Sequence, residues 1–275
     1  MSGRITVMVV GAAGQMGREV VKAVAKAPDL ELVGAVDTRR TGEDAGEVAG
    51  AGRLGVPVRG DLEEALGNLR PQVMVDFTHP EGLLSRISAA LRHGVRPVIG
   101  TTGLSPSEID QVAALTAEKG LSCIIAPNFA IGALVLMRCA GLAARYFAQA
   151  EIVELHHPGK VDAPSGTALK TADVIAEARA KAAVTPLNTP GAESERVAGV
   201  RGGECSGVRV HSVRLPGLVA HQEVLFGNAG ELLTLRHDSL SRESFMPGVL
   251  LAIREVTRRS GLVYGLDRLV FGDEP

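Results

Sequence analysis

The chain has 275 residues, 45% of them hydrophobic but only 3% aromatic and none Trp, so any core it builds is aliphatic. Its 29 lysines and arginines nearly balance 31 aspartates and glutamates, for a net charge of −2. This excludes a nucleic-acid or anionic-membrane binder acting through a global positive field, and any anionic ligand must be held by a local site.

Chain order gives a first region of alternating patterns. "ITVMVV" (5–10) is a short apolar run of the kind buried on both faces of a parallel sheet. "QMGREVVKAVAKA" (15–27) follows as a helix, with Met16, Val20 and Val24 on one face and Pro28 closing it. "LELVGAVD" (30–37), "VMVDFT" (73–78), "PVIGTT" (97–102) and "LSCIIAP" (121–127) read as further strands. Helices are expected over 81–93 and from 106, where Ser105-Pro106-Ser107-Glu108 supplies an N-cap, a proline at N1 and a capping-box glutamate. This βαβ order predicts a Rossmann-type, doubly wound parallel sheet over residues 1–127.

From 131 the pattern changes. An apolar helix (131–147) leads to the strand "AEIVELHH", an irregular stretch and a helix through about 180. Residues 181–207 lack an apolar period and read as a long mobile loop. "VRVHSVRL", "AHQEVLFG" and "ELLTLRHDSL" are three strands, the last two joined as a hairpin by Gly227-Asn228-Ala229-Gly230. A second α+β domain with a mostly antiparallel sheet is therefore expected over 128–240. The final helix, in 241–275, is expected to pack back on the first domain.

Gly11-Ala12-Ala13-Gly14-Gln15-Met16-Gly17 lies between the first strand and first helix. A tight turn there needs residues without Cβ, and the N–H groups of the helix start attract a pyrophosphate. Asp37, 20 residues beyond Gly17, stands where a carboxylate would accept from an adenosine ribose. Arg39 and Arg40 follow it and could meet a 2′-phosphate, so NADH and NADPH are both expected as cofactor. Later strand ends face the same crevice. Phe77, Thr78, Gly100, Thr101 and Thr102 belong to two of them, and Ala126, Pro127, Asn128 and Phe129 to a third. The threonines can offer hydroxyls to a carboxamide, and Phe77 or Phe129 a flat face to a nicotinamide.

"ELHHPGKVDAPSGTA" (154–168) gathers proton donors where neither helix nor strand can persist. A metal is not expected, because adjacent histidines point to opposite faces of a strand and no carboxylate or thiol pattern accompanies them. Imidazole titrates near neutrality and suits a general acid. Lys160 adds a cation, Asp162 could pin the loop or cap the next helix, and Ser165-Gly166-Thr167 opens a helix whose N-terminus can take a carboxylate. The stretch reads as a site for a small acidic molecule that takes up a proton.

With "GAAGQMG", "GTTG", "APNFAIG" and "HSVRLPGLVAHQEVLFG", this loop resembles the 4-hydroxy-tetrahydrodipicolinate reductase family, also called dihydrodipicolinate reductase, nearly end to end. The resemblance implies NAD(P)H-dependent reduction of a small cyclic dicarboxylate on the route to diaminopimelate and lysine. It implies His156 as proton donor and acceptor, Lys160 as second proton donor, and His157, Gly166 and Thr167 on the substrate carboxylates. Residues 11–16, Asp37, 100–102 and 126–129 would hold the dinucleotide. A homotetramer joined through the C-terminal sheets is also implied. Two departures stand out: Thr38 separates the acid from Arg39, and Pro127 removes an N–H donor where alanine is common. Another dehydrogenase of this shape, or a non-catalytic dinucleotide sensor, remains the alternative; a sensor has no need of His156 and Lys160 together.

The cysteines, Cys123, Cys139 and Cys205, are too scattered for a disulfide framework or zinc knuckle. No stretch approaches the roughly 20 apolar residues of a membrane span, and the N-terminal apolar run is shorter than a signal-peptide core. A reducing, cytoplasmic setting is expected.

Overall fold

The protein is described here by a computed structural model covering residues 3–184 and 195–272. It divides into two compact units, one running through Phe129 and resuming at Phe245, the other Ala130–Ser244.

The first unit is built from β1 (Ile5–Val10), α1 (Gln15–Lys26), β2 (Leu30–Val36), α2 (Ala45–Ala49), β3 (Val58–Arg59), α3 (Leu62–Leu69), β4 (Val73–Asp76), α4 (Leu83–Arg92), β5 (Arg96–Ile99), α5 (Pro106–Lys119) and β6 (Ser122–Ile125). Every residue of β4 and β6 is buried, as expected for strands covered by helices on both faces. Met8, Leu66, Met74, Leu83, Ile87, Ile99 and Val112 form an aliphatic core on one side of the sheet. The capping box before α5 is present: Ser105 Oγ accepts from the Glu108 amide, and the Glu108 carboxylate accepts from the Ser105 amide.

Residues 44–56 fold around one carboxylate. Asp44 caps α2 and accepts from the amides of Gly46, Glu47, Leu54, Gly55 and Val56. Five amides satisfied by a single side chain let short elements hold without a wide apolar face.

The second unit contains α6 (Ile131–Ala143), β7 (Gln149–His156), α7 (Gly166–Lys181), β8 (Gly203–Cys205), β9 (Val208–Arg214), β10 (Ala220–Asn228) and β11 (Glu231–Ser239). Its sheet runs β11-β10-β7-β9-β8, antiparallel except for the β7–β9 pair. Its core of Leu136, Ala140, Ile152, Ala172, Ile175, Val210, Val224 and Phe226 lies between sheet and helices.

Residues 203–205 correct the expected loop over 181–207. They form β8, which pairs with β9 through a tight turn at Ser206-Gly207, both at positive φ. A three-residue strand is too short to show an apolar period. Residues 185–194 of that expected loop lie outside the described residues.

The chain from Phe245 supplies α8 (Met246–Val256), β12 (Gly261–Tyr264) and α9 (Asp267–Phe271). β12 pairs parallel with β6 and completes a seven-stranded all-parallel sheet, β12-β6-β5-β4-β1-β2-β3. α8 packs so closely on the segment after β6 that a Cβ at Gly248 would lie 2.1 Å from the Phe129 carbonyl oxygen. Among the described residues, no helix is long and apolar enough to cross a membrane.

Candidate active site

The glycine turn is shaped by excluded volume. Gly11 has φ +80°, and a Cβ there would sit 2.7 Å from the Phe77 carbonyl oxygen. A Cβ at Gly17 would be 2.0 Å from the Gly11 oxygen, so only glycine lets the start of α1 lie on the turn. Gly14 is the N-cap and offers no capping side chain. The amides of Gly11 and Ala12 donate to the Val36 carbonyl, Ala13 donates to Asp37 Oδ2 at 3.0 Å, and Gly14 donates to Gly11. Those of Gln15, Met16 and Gly17 have no protein acceptor among the described residues. The amides left without a protein acceptor are therefore in the second half of the expected motif, while those of the first half hold the turn. A cradle that a single methyl would fill, capped by unpaired amides, fits a dinucleotide pyrophosphate.

Asp37 is buried and pinned on both oxygens. Its Oδ1 accepts from the Arg39 amide at 2.9 Å and from Arg39 Nε at 3.4 Å. The Arg39 guanidinium reaches back over the turn, 3.8 Å from where a Gly14 Cβ would stand. Arg40 instead pairs with Glu43 at 2.6 Å. Only Arg39 of the two is brought to the glycine turn.

The ends of β4 and β5 meet at a buried carboxylate that sequence reasoning missed. Asp76 is fully buried and pairs with Arg86 Nε at 2.7 Å. Asp76 Oδ1 accepts from the hydroxyls of Thr78 (2.7 Å) and Thr101 (2.8 Å), and Thr101 Oγ1 accepts from the Thr78 amide. Arg86 also bonds Thr78 Oγ1 and the carbonyls of Glu81 and His79. The threonine protons expected to face a carboxamide are thus donated to Asp76, leaving oxygen lone pairs and backbone groups for a ligand. The Phe77 ring packs on Gly100, where a Cβ would be 2.0 Å from its Cε1. Phe129 tilts against Phe77 with centroids 5.5 Å apart and is only 3% exposed, so Phe77 is the less buried ring of the two. Ala126 and Thr101 are buried, while Thr102 and Pro127 are exposed.

In the second unit, the loop after β7 is organised around Glu154. Alternation along β7 puts Ala150, Ile152 and Glu154 on the buried face, and His156 continues that parity. The Glu154 side chain is 0% exposed, receives Arg214 Nη2 at 2.8 Å and Nη1 at 3.0 Å, and meets His156 Nδ1 at 2.5 Å. Burial raises its carboxyl, but hydrogen bonds from Arg214, Ser212 and His156 outweigh that and hold it below the usual range. Burial pushes the His156 imidazole below its ordinary value, opposed by Glu154 and reinforced by Lys160 and Arg214.

His157 lies just past the strand, its Nδ1 3.3 Å from where a Gly159 Cβ would be. Lys160 Nζ bonds both Asp162 oxygens at 2.7 and 2.9 Å. Asp162 therefore braces the loop rather than capping α7; Ser165 is the cap, its Oγ accepting from the Ala168 amide. The Gly166 amide at the start of α7 has no protein acceptor among the described residues. Thr167 lies one residue into the helix. Glu154, Arg214 and Ser212 were not foreseen. Glu154 was readable as a carboxylate on the parity of Ile152, whereas Arg214 is 60 residues away and had no local signal.

Residues 5–129 match the family model for the N-terminus of dihydrodipicolinate reductase, and 132–270 the model for its C-terminus. The chain is 52% identical over 271 residues to a 4-hydroxy-tetrahydrodipicolinate reductase of Gloeobacter violaceus, covering 97% of this chain and 99% of that one. It is 52% identical over 274 residues to the enzyme of the same name from Synechocystis sp., covering 97% and 98%. A solved dipicolinate-bound dihydrodipicolinate reductase from Paenisporosarcina sp. TG-14 superposes with TM-score 0.80 at 44% identity, over 96% of this chain and 99% of that one.

Proposed function

The chain belongs to the dihydrodipicolinate reductase family, and from that premise we propose how its own residues carry the reaction. It is an NAD(P)H-dependent oxidoreductase that reduces 4-hydroxy-tetrahydrodipicolinate to tetrahydrodipicolinate. The amides of Gln15, Met16 and Gly17 take the pyrophosphate, Asp37 the adenosine ribose, and Phe77 with the backbone of 100–102 and 126–129 the nicotinamide. The 4-hydroxyl leaves as water with a ring proton, the bound reduced dinucleotide would supply a hydride to C4 of the resulting unsaturated ring, and a proton must then reach C3.

His156 gives that proton from Nε2, since Nδ1 is engaged by Glu154. His157, the Gly166 amide and Thr167 receive substrate carboxylates at the start of α7, where Ser165 fixes the helix turn. Lys160 balances the second carboxylate and serves as an alternative proton source. Two negative charges otherwise make the ring slow to accept hydride, so this neutralisation lowers the barrier. Arg39 and Asp37 act in opposite directions on a 2′-phosphate, which supports use of both NADH and NADPH. Exposed Leu232 and Leu240, on and beside β11, support assembly as a homotetramer through this unit's sheet.

The observation that carries the reading is an imidazole held by a fully buried carboxylate beside a lysine and an uncapped helix amide. Freshly generated substrate with NADH or NADPH should give steady loss of reduced-dinucleotide absorbance. No turnover with either would end the reading.

A further inference from the structure

We propose that Glu154, clamped by Arg214, is a positioning residue that fixes His156 as its Nδ1–H tautomer and turns Nε2 toward the substrate. The proposal rests on the reading of His156 as the proton donor, and goes beyond it to the groups that make one nitrogen the working one.

A strand-interior carboxylate on a core face is costly unless it is paired and hydrogen-bonded. Glu154 stands where alternation after Ala150 and Ile152 calls for an apolar side chain, and its side chain is 0% exposed. The register explains its partners. In the parallel β7–β9 pair, Glu154 lies opposite Ser212 and His156 opposite Arg214, so all four side chains share one face.

The guanidinium is committed at four places. Nη1 donates to Glu154 Oε2 and the Val213 carbonyl, while Nη2 donates to Glu154 Oε1 and the Asp162 carbonyl. The planar fork therefore fixes the carboxylate plane and, through Asp162, the loop that carries Lys160. An ionised carboxylate is acceptor only. With Glu154 Oε2 at 2.5 Å from Nδ1, that nitrogen must keep its proton whether the ring is neutral or charged. The proton that comes and goes is left to Nε2. A plain strand-to-strand ion pair would need no imidazole on its free lone pair.

A second tie supports the same frame. On β10, Gln222 lies opposite Glu154, and its Nε2 donates to Thr171 Oγ1 of α7 at 2.8 Å. Thr171 in turn donates to the Thr167 carbonyl at 2.7 Å. The carboxylate turn at the start of α7 is thereby held to the strands that hold His156. The charged groups facing the imidazole are Glu154 on its own strand, Arg214 on β9 and Lys160 with Asp162 on the loop. β10 presents uncharged Ala220 and Gln222 there.

The test uses the full-length enzyme and its variant Glu154→Gln. In the variant, the amide oxygen stays with Arg214 and the NH2 group faces Nδ1, which becomes the acceptor. Histidine-selective ¹⁵N spectra should show neutral His156 as Nδ1–H in the wild type and Nε2–H in Glu154→Gln. The kcat should fall roughly 10²-fold, with the dinucleotide KM within about twofold of wild type. The descending limb of the kcat/KM profile should move to lower pH, because the imidazolium loses its anionic partner. Glu154→Asp keeps the charge on a shorter stem and should hold that limb closer to the wild-type position.

A lower kcat with an unmoved limb and an unchanged tautomer would mean a structural ion pair only, and would overturn the proposal. If Glu154→Gln does not fold, the wild-type spectrum decides alone: an Nε2–H neutral tautomer at His156 overturns it. The spectra need no turnover, so an inactive wild type would remove the functional reading without touching this result.

Discussion

The strand ends of the two units use the same device for different ends. In the parallel sheet, fully buried Asp76 at the end of β4 is held by Arg86; in the mixed sheet, fully buried Glu154 near the end of β7 is held by Arg214. Asp76 gathers two threonine hydroxyls and a backbone amide, none of which titrates near neutrality. Glu154 gathers an imidazole, which does. A carboxylate–arginine clamp thus fixes geometry in one unit and a protonation state in the other, according to what its spare lone pair faces. The surroundings follow suit. The end we propose for the dinucleotide is defined by missing side chains at Gly11, Gly17 and Gly100, and the end we propose for the proton by charged ones at Glu154, His156, Lys160 and Arg214.

If that contrast is right, substitutions in the second unit should act on kcat and those at the glycine turn on dinucleotide binding. The largest effect is expected from His156→Ala, with kcat down by roughly 10² to 10⁴ and dinucleotide affinity nearly unchanged. Lys160→Ala should follow the same pattern toward the lower end. Steady-state kinetics with a separate dinucleotide titration checks both, and near-full kcat in either variant removes that residue's proton role.

The pH profile gives this prediction a sign. Burial lowers the His156 value in the free enzyme, and kcat/KM reports the free enzyme. A proton donor must be charged, so kcat/KM should decline as pH rises through a point lower than the ordinary histidine value. Two substrate carboxylates favour the imidazolium, so the corresponding limb in kcat should lie at higher pH. Coincident limbs would mean that the substrate charges do not face this ring.

Much of this contrast was legible in the sequence, and the parts that were not share a cause. The glycine spacing, the capping box before α5 and the apolar runs of β1, β4, β5 and β6 are local signals, and each is where it was expected. The proton-rich loop was legible from composition, because no regular element explains two histidines and a lysine between prolines. The clamps were not. Arg214 reaches Glu154 across 60 residues, and the Asp76–Arg86 pair depends on how α4 leaves its strand. Short elements also escaped: β3 has two residues and α2 five, both below the length at which a period can be counted. α3 could have been read, since Asp61 caps it and Glu64 stands three residues on.

A sharper test of the glycine end is Gly17→Ala. The added methyl would lie 2.0 Å from the Gly11 oxygen and 2.9 Å from the Ala12 Cα, both backbone atoms that cannot rotate away. Overpacking of this kind costs about 1–3 kcal/mol, and here it must push α1 off the turn that presents the pyrophosphate amides. Dinucleotide affinity should fall by at least about tenfold, while kcat at saturating dinucleotide changes far less. A large kcat loss at unchanged affinity would place the turn in the catalytic geometry and break the division of labour.

The smallest expected effect lies at Arg39, whose guanidinium reaches over the glycine turn beside Asp37. Wild-type kcat/KM for NADH and NADPH should agree within about tenfold, a gap of about 1.4 kcal/mol, because Asp37 disfavours a 2′-phosphate while Arg39 attracts it. The Arg39 side chain is 66% exposed and Asp37 6%, so the arginine works in near-aqueous surroundings and the carboxylate does not. An exposed ion pair contributes at most about 1 kcal/mol, or roughly fivefold. Arg39→Ala should therefore lower kcat/KM for NADPH by about that factor. For NADH the value should hold or rise slightly, since Asp37 Oδ1 loses the long contact to Arg39 Nε and keeps only the backbone amide of residue 39. Arg40→Ala should leave the ratio alone, because Arg40 is turned to Glu43 at 2.6 Å. The NADPH-to-NADH ratio in the two variants, taken at low and high salt, decides the matter. An equal shift in both would mean that the arginines act only as a diffuse charge, and that the glycine turn carries no side-chain selection at all.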